Sequence, residues 1–252
     1  MQTTVPDIKL IFEDEHLLAF SKPSGLLVHS TKMDKYETLN AADILRDRLG
    51  FRIFPLHRLD KGTSGLLLFA RRLEGAKTLH AIFEKESTKK EYLCICRGWT
   101  PQNETIDYAI RNPDKPKAEP KQAITIYKRL NTCELDFPVS RYQSTRLSLV
   151  AAYPKTGRTH QIRMHFAHIR HYIVGDRRHG ERHINRLFEE QFELRRLFLH
   201  SHRIEFLHPF TNETIRLNDA PDQTWNKILQ NTGLLNEQIE TYLSDSYRPD
   251  FL

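Results

Sequence analysis

The chain has 252 residues, 39% hydrophobic and 28% charged, and its 38 Lys and Arg against 32 Asp and Glu leave a net charge of +6. That length buries a core without a disulfide or metal staple, and that composition excludes wholesale disorder. The longest apolar run, 66–70, is far below the ~18 residues of a membrane span. Residues 1–7 lack a basic region followed by an apolar run, so no secretory leader is expected, and three cysteines make no disulfide framework, so a reducing cytosol is expected.

Residues 8–12 and 16–20, apolar and split by Glu13-Asp14-Glu15, predict a hairpin. Asn40 offers an N-cap to a helix over 40–49 that aligns Ala41, Ile44, Leu45 and Leu49. Residues 65–70 form a buried strand, and 73–86 a helix with Ala76, Leu79, Ile82 and Phe83 as its apolar stripe. Alternation over 91–98 predicts a strand with Tyr92, Cys94 and Cys96 on one face, the two cysteines as small core residues. Three prolines, four basic residues and two acids make 111–121 an extended, solvated connector between halves at about 1–110 and 122–232. Strands follow over 123–130, 145–153, 203–207 and 214–217, and a weak helical pattern from about Gly233 predicts a loosely docked tail, 233–252. Strands grouped with inserted helices imply an α+β fold around a mostly antiparallel mixed sheet with flanking helices.

Two stretches concentrate chemistry. His57-Arg58-Leu59-Asp60-Lys61-Gly62-Thr63-Ser64-Gly65 is a tight polar turn feeding directly into the apolar strand. A carboxylate ahead of such a turn can be held ionised by its amides and hydroxyls. By pattern alone, Asp60 is a turn or capping residue first and a catalytic one second. The second stretch, Lys155 to His165, predicts a helix from near Thr159 with Ile162, Phe166 and Ile169 toward the core and His160, Arg163 and Arg170 on a polar face. No acidic residue lies between Arg158 and Gly175. That face therefore needs a carboxylate from elsewhere in the chain or an external phosphate. Throughout 156–225 every Lys-or-Arg position is Arg, the side chain whose planar fork binds phosphate and carboxylate bidentately. A metal-dependent hydrolase would draw on His160, His165, His168 and His171 with Asp176, but their spacing misses the His-Glu-x-x-His pattern.

HRLDKGTSGLLLFA resembles the active-site signature of the RluA-type pseudouridine synthases, GRTHQIRMH that family's second signature, and KKEYLCICRG its tyrosine-bearing strand. The three occur in the family's order, and the resemblance spans about residues 10–225. RYQSTRLSLV, KTGRTHQIRMHFAHIRHYIVGDRRHG and the Asn-Arg pair that follows are most similar to the branch that isomerises a uridine at tRNA position 65, in the acceptor-side region. Ribosomal RNA is the alternative substrate within the family, and a non-catalytic RNA-binding module the alternative outside it.

The resemblance implies a single catalytic domain with a central active-site cleft, acting as a cytoplasmic monomer on RNA without cofactor, metal or membrane. No S4 domain is expected ahead of the first strand, so substrate choice would rest within the catalytic domain. The implied roles fall residue by residue. Asp60 is the nucleophile or electrostatic stabiliser, and Arg163 is its ion-pair partner, favouring the ionised form. Tyr92 stacks on uracil and assists removal of the C5 proton; from pattern alone it would be a core aromatic. Arg58 fills the stack vacated by the everted nucleotide. His57 supports the loop by hydrogen bonding.

Overall fold

In the computed structural model, which describes residues 5–29, 39–85 and 87–244, the chain opens as the expected hairpin of β1 (Lys9–Glu13) and β2 (Leu17–Lys22). Asp14 fixes its turn by accepting from the His16 and Leu17 amides at 2.7 Å each. Helix α1 (Ala41–Leu49) starts where Asn40 Oδ1 accepts from the Asp43 amide at 3.0 Å. There follow β3 (Phe54–Pro55), the wholly buried β4 (Ser64–Ala70), α2 (Leu73–Phe83), β5 (Lys89–Arg97), β6 (Asn103–Asp107), β7 (Ile124–Leu135) and β8 (Thr145–Pro154). The rest is α3 (Gln161–His168), α4 (Arg182–Phe192), β9 (Leu199–Leu207), β10 (Thr214–Asn218), α5 (Gln223–Asn231) and α6 (Glu237–Ser244). No helix among the described residues is long and apolar enough to cross a membrane.

The strands form one mixed sheet, β1-β2-β4-β9-β5-β8-β7-β6, with β10 also on β9 and β3 also on β4. Every pairing of named strands is antiparallel except β4 with β9, where Ser64 meets His200 and Gly65 meets Ser201. That short parallel seam demands glycine. Gly65 has φ of +107°, and a Cβ there would lie 2.2 Å from the Ser201 carbonyl oxygen. Side-chain alternation splits the core: Leu93 and Ile95 of β5 pack with α4, α5 and α6, whereas Cys94 and Cys96 pack with Ile162 and Phe166 of α3. On β4, Leu67 and Phe69 face α1, while Leu66 and Leu68 face Leu79 and Phe83 of α2.

Several expectations need correction. Helix α2 stops at Phe83; Glu86 lies outside the described residues. Strand β6 escaped notice because only Ile106 among its five residues is buried, so it carries no apolar alternation. Its pairing with β7 changes the meaning of 111–121. The segment is a closed, mostly exposed loop, not an extended connector: the Ile110 and Lys121 backbones exchange hydrogen bonds at 2.9 Å. The tail is also firmer than expected as far as Ser244, because Ile239 and Leu243 enter the same core as Trp225. Helix α3 begins at Gln161, and Arg170 lies beyond its end in a left-handed conformation, φ 62°.

Candidate active site

The Asp60 turn is clamped from the β2 side. Ser24 Oγ donates to the Gly62 carbonyl at 2.7 Å, the Gly25 amide to the Lys61 carbonyl at 2.8 Å, and Lys22 Nζ to the same carbonyl at 3.2 Å. Lys22 is fully buried and also donates to the carbonyls of Pro23 and Leu26. Burial pushes its pKa down to about 7, with Asp60 opposing and Arg196 reinforcing that shift. At the far end of the turn, Ser64 Oγ meets His200 Nδ1 at 3.0 Å and accepts from Arg196 Nη2 at 3.1 Å. These hydroxyl and amide contacts fix the loop's backbone, while the carboxylate looks elsewhere for its partner.

That partner is Arg163. Its Nη1 donates to Asp60 Oδ2 at 2.8 Å, while Nε and Nη2 grip Asp176 Oδ2 and Oδ1 at 2.7 and 2.8 Å. One guanidinium thus bridges two carboxylates, a task for which Lys has the wrong geometry. Asp176 Oδ1 also accepts from the Arg178 and His179 amides at 2.9 Å each. Burial works against the Arg163 charge, but Asp176 and then Asp60 outweigh it and hold its pKa above the ordinary range. Burial likewise disfavours ionised Asp176, and Arg163 and the two amides overcome it. The acid-free run from Arg158 to Gly175 therefore finds carboxylates on both sides of Arg163. Sequence reasoning considered Asp176 only as a possible metal ligand; the signal was its place as the first acid after that run.

Gln161 sets the loop before α3. Its Oε1 accepts from Thr156 Oγ1 at 2.6 Å and from the Arg158 amide at 3.0 Å, and its Nε2 donates to the Ile124 carbonyl at 2.9 Å. His160, left-handed at φ 57°, puts Nε2 3.7 Å from Asp60 Oδ1 and Nδ1 2.8 Å from His179 Nε2. The other histidines of the stretch are dispersed. His165 is buried between Thr125 Oγ1 and the Tyr108 carbonyl, His168 stacks on Tyr108, and His171 Nδ1 meets the Arg97 carbonyl. Among the described residues, no group of three or more His, Cys, Asp or Glu converges as a metal would need.

Tyr92, the register neighbour of Ser201, shares a cleft of about 240 Å³ with Arg58, Asp60, Arg158 and Arg163. Burial pushes its phenol up to about 12, with Ser201 opposing and Asp60 adding to the shift, so it stays protonated near neutrality. Arg58 is exposed on the cleft wall. His57 lies outside the charge network: its Nε2 accepts from the Leu68 amide at 3.2 Å and its ring stacks on Phe83 at 5.2 Å. Burial drives its pKa to about 3, helped by Lys90 and His80. The structure therefore brings Asp60, Tyr92, Arg163 and Arg58 into one cleft. Sequence reasoning missed Lys22 and His179 as parts of its surroundings.

The family model described as RNA pseudouridylate synthase matches residues 16–168. A tRNA pseudouridine synthase C from Vibrio parahaemolyticus is 40% identical over 230 residues, 88% of this chain and 94% of its own. One from Haemophilus influenzae is 39% identical over 237 residues, covering 91% of this chain and 99% of its own. Among solved structures, human RNA pseudouridylate synthase domain containing 1 superposes with a TM-score of 0.68 at 22% identity, over 93% of this chain and 98% of its own. Human RNA pseudouridylate synthase domain containing 4 gives 0.67 at 22% identity, over 89% and 93%. The two human structures share the fold.

Proposed function

The chain belongs to the RNA pseudouridylate synthase family, and we propose that it converts a uridine of tRNA, at tRNA position 65, to pseudouridine. The observation that carries this reading is the Asp60 carboxylate held by Arg163 in the cleft that Tyr92 lines. The tRNA substrate is supported by the names of the relatives.

The reaction breaks the N1–C1′ bond, rotates uracil and joins C5 to C1′, while C5 gives up its proton and N1 gains one. Atoms balance with no oxidant, reductant or co-substrate. An ionised carboxylate must approach the nucleoside, and Asp60 supplies it. Arg163 orients that carboxylate without leaving its own site, because Asp176 holds two of its three hydrogen bonds. Tyr92 offers a ring face for uracil and a hydroxyl that passes a proton without becoming a free phenolate. The target must first leave its stack, at a cost of a few kcal/mol, and Arg58, exposed on the cleft wall, fills the gap in this reading. A cleft of about 240 Å³, just below the roughly 300–1,000 Å³ that suits drug-sized ligands, is of the right order for one everted nucleoside.

A second, larger cavity of about 680 Å³ opens beside Asp176 and carries Arg177, Arg182, Arg186 and Arg195 against Glu189 and Glu190. Its excess of guanidinium suits the phosphates flanking the target nucleotide. The test is pseudouridine mapping of total RNA from cells with and without the gene. Loss of the modification at tRNA position 65 alone is expected; an unchanged tRNA with a lost ribosomal site would overturn the substrate.

A further inference from the structure

The His160–His179 contact has a chemical consequence for the Asp60 carboxylate. His160 holds a left-handed backbone with no side-chain capping bond, a conformation that persists only where its surroundings impose it. That pose sets its ring between two partners, His179 Nε2 at 2.8 Å and Asp60 Oδ1 at 3.7 Å. Arg163 takes the other oxygen of the same carboxylate, Oδ2. His179 is anchored in turn, its amide bonded to Asp176 Oδ1 at 2.9 Å.

A hydrogen bond between two imidazole nitrogens needs one N–H and one lone pair. Suppose His160 Nδ1 carries the proton. A neutral His160 then aims the Nε2 lone pair at a carboxylate oxygen, which is repulsive. If His179 Nε2 carries it instead, His160 accepts at Nδ1 and turns Nε2–H toward Asp60. The carboxylate selects the second arrangement. Charging His160 would also give two N–H groups, but its surroundings oppose that: burial first, then Arg163 and Arg178, against Asp60 and Asp114. Burial brings His179 to about 4, with Arg163, His160 and Arg178 reinforcing and Asp176 opposing.

We propose, resting on the pseudouridine synthase reading, that His179 is a positioning residue: it donates Nε2–H to His160, locks the Nε2–H tautomer, and so presents an uncharged donor to the oxygen of Asp60 that Arg163 leaves free. At 3.7 Å the N–H lies beyond hydrogen-bond distance and acts as an uncharged dipole, biasing the orientation of that oxygen while drawing off less of its charge than a second cation would. His160 acts through Asp60 and His179 acts through His160.

Two measurements test this. Nitrogen-15 correlation spectra of the imidazoles in the free wild-type protein at pH 7 should show His160 as the Nε2–H tautomer; the Nδ1–H tautomer or an imidazolium overturns the proposal. Single-turnover pseudouridine formation on tRNA between pH 5 and 8.5 should fall about three- to tenfold at pH 7.5 in His179→Phe, the value of one hydrogen bond. The loss should fall on the rate of the chemical step, with the tRNA KM unmoved. His179→Gln, whose amide can still donate to Nδ1, should restore most of the rate and the wild-type profile. A His179→Phe profile superimposable on wild type overturns the proposal. Should His179→Phe fail to fold, the wild-type tautomer and the His179→Gln profile still decide it. Should the wild type modify no RNA, the functional reading fails while the spectra judge the tautomer on their own.

Discussion

At the scale of single residues, Arg163 does two jobs that separate cleanly. Two of its hydrogen bonds lock it to Asp176 and one reaches Asp60, so it stays in place whether or not Asp60 is ionised. Asp176→Asn removes one partner of a buried ion pair, a change that costs about 3 kcal/mol; urea unfolding should show that loss, and turnover should drop because Arg163 is no longer aimed. Arg163→Lys should keep the charge but lose the bridge, cutting turnover at least tenfold at neutral pH in a tritium-release assay. Asp60, Arg163, Tyr92 and Arg58 could be singled out because each sits in a motif that resembles the family's, whereas by pattern alone Asp60 read as a turn residue and Tyr92 as a core aromatic. Asp176, Lys22 and His179 were not legible, because their contacts with Arg163, the Asp60 turn and His160 form only when separate stretches of the chain fold together. Lys22 looks like any strand-end lysine until the Asp60 turn folds over it.

Elements place these residues, and the decisive one is the short parallel seam between β4 and β9. Gly65→Ala should fail to express in soluble form or lose several kcal/mol in urea unfolding, since the added carbon would enter the Ser201 backbone. The strands over 65–70 and 91–98 were readable from apolar runs or alternation and α1 from its cap. Strand β9 was expected only from Arg203 and in fact starts at Leu199, because His200, Ser201 and His202 break the apolar run. Strand β6 and helix α4 were not readable. The first is an exposed edge, and the second carries Arg and Glu on its outer face, reading as polar sequence between motifs. Yet α4 lines the arginine-rich cavity. Arg182→Gln with Arg195→Gln should weaken tRNA binding and make its logarithmic salt dependence shallower by about one for each phosphate no longer neutralised. An unchanged slope in filter binding would remove that surface from the RNA path.

For the molecule as a whole, partly buried imidazoles couple folding to pH. His57 titrates at about 3 and His179 at about 4 in the folded chain, against about 6.5 when unfolded. Between those values the unfolded state binds more protons, so this contribution to stability is intact above about pH 6.5 and is lost as pH falls toward about 4 for His179 and about 3 for His57. Thermal melting should therefore move to lower temperature across that window, and a flat profile would show that the imidazoles are not held neutral.

The central claim is that the Asp60 carboxylate, not the cleft's shape or charge, drives the isomerisation. Asp60→Asn is its most direct test, because the amide keeps the size of the side chain while Asp176 keeps Arg163 in place. Measured by tritium release from C5 of tRNA uridine in a single turnover, Asp60→Asn should abolish product formation while tRNA affinity stays within a few-fold of wild type. Product formed at a rate near that of the wild type would contradict the account.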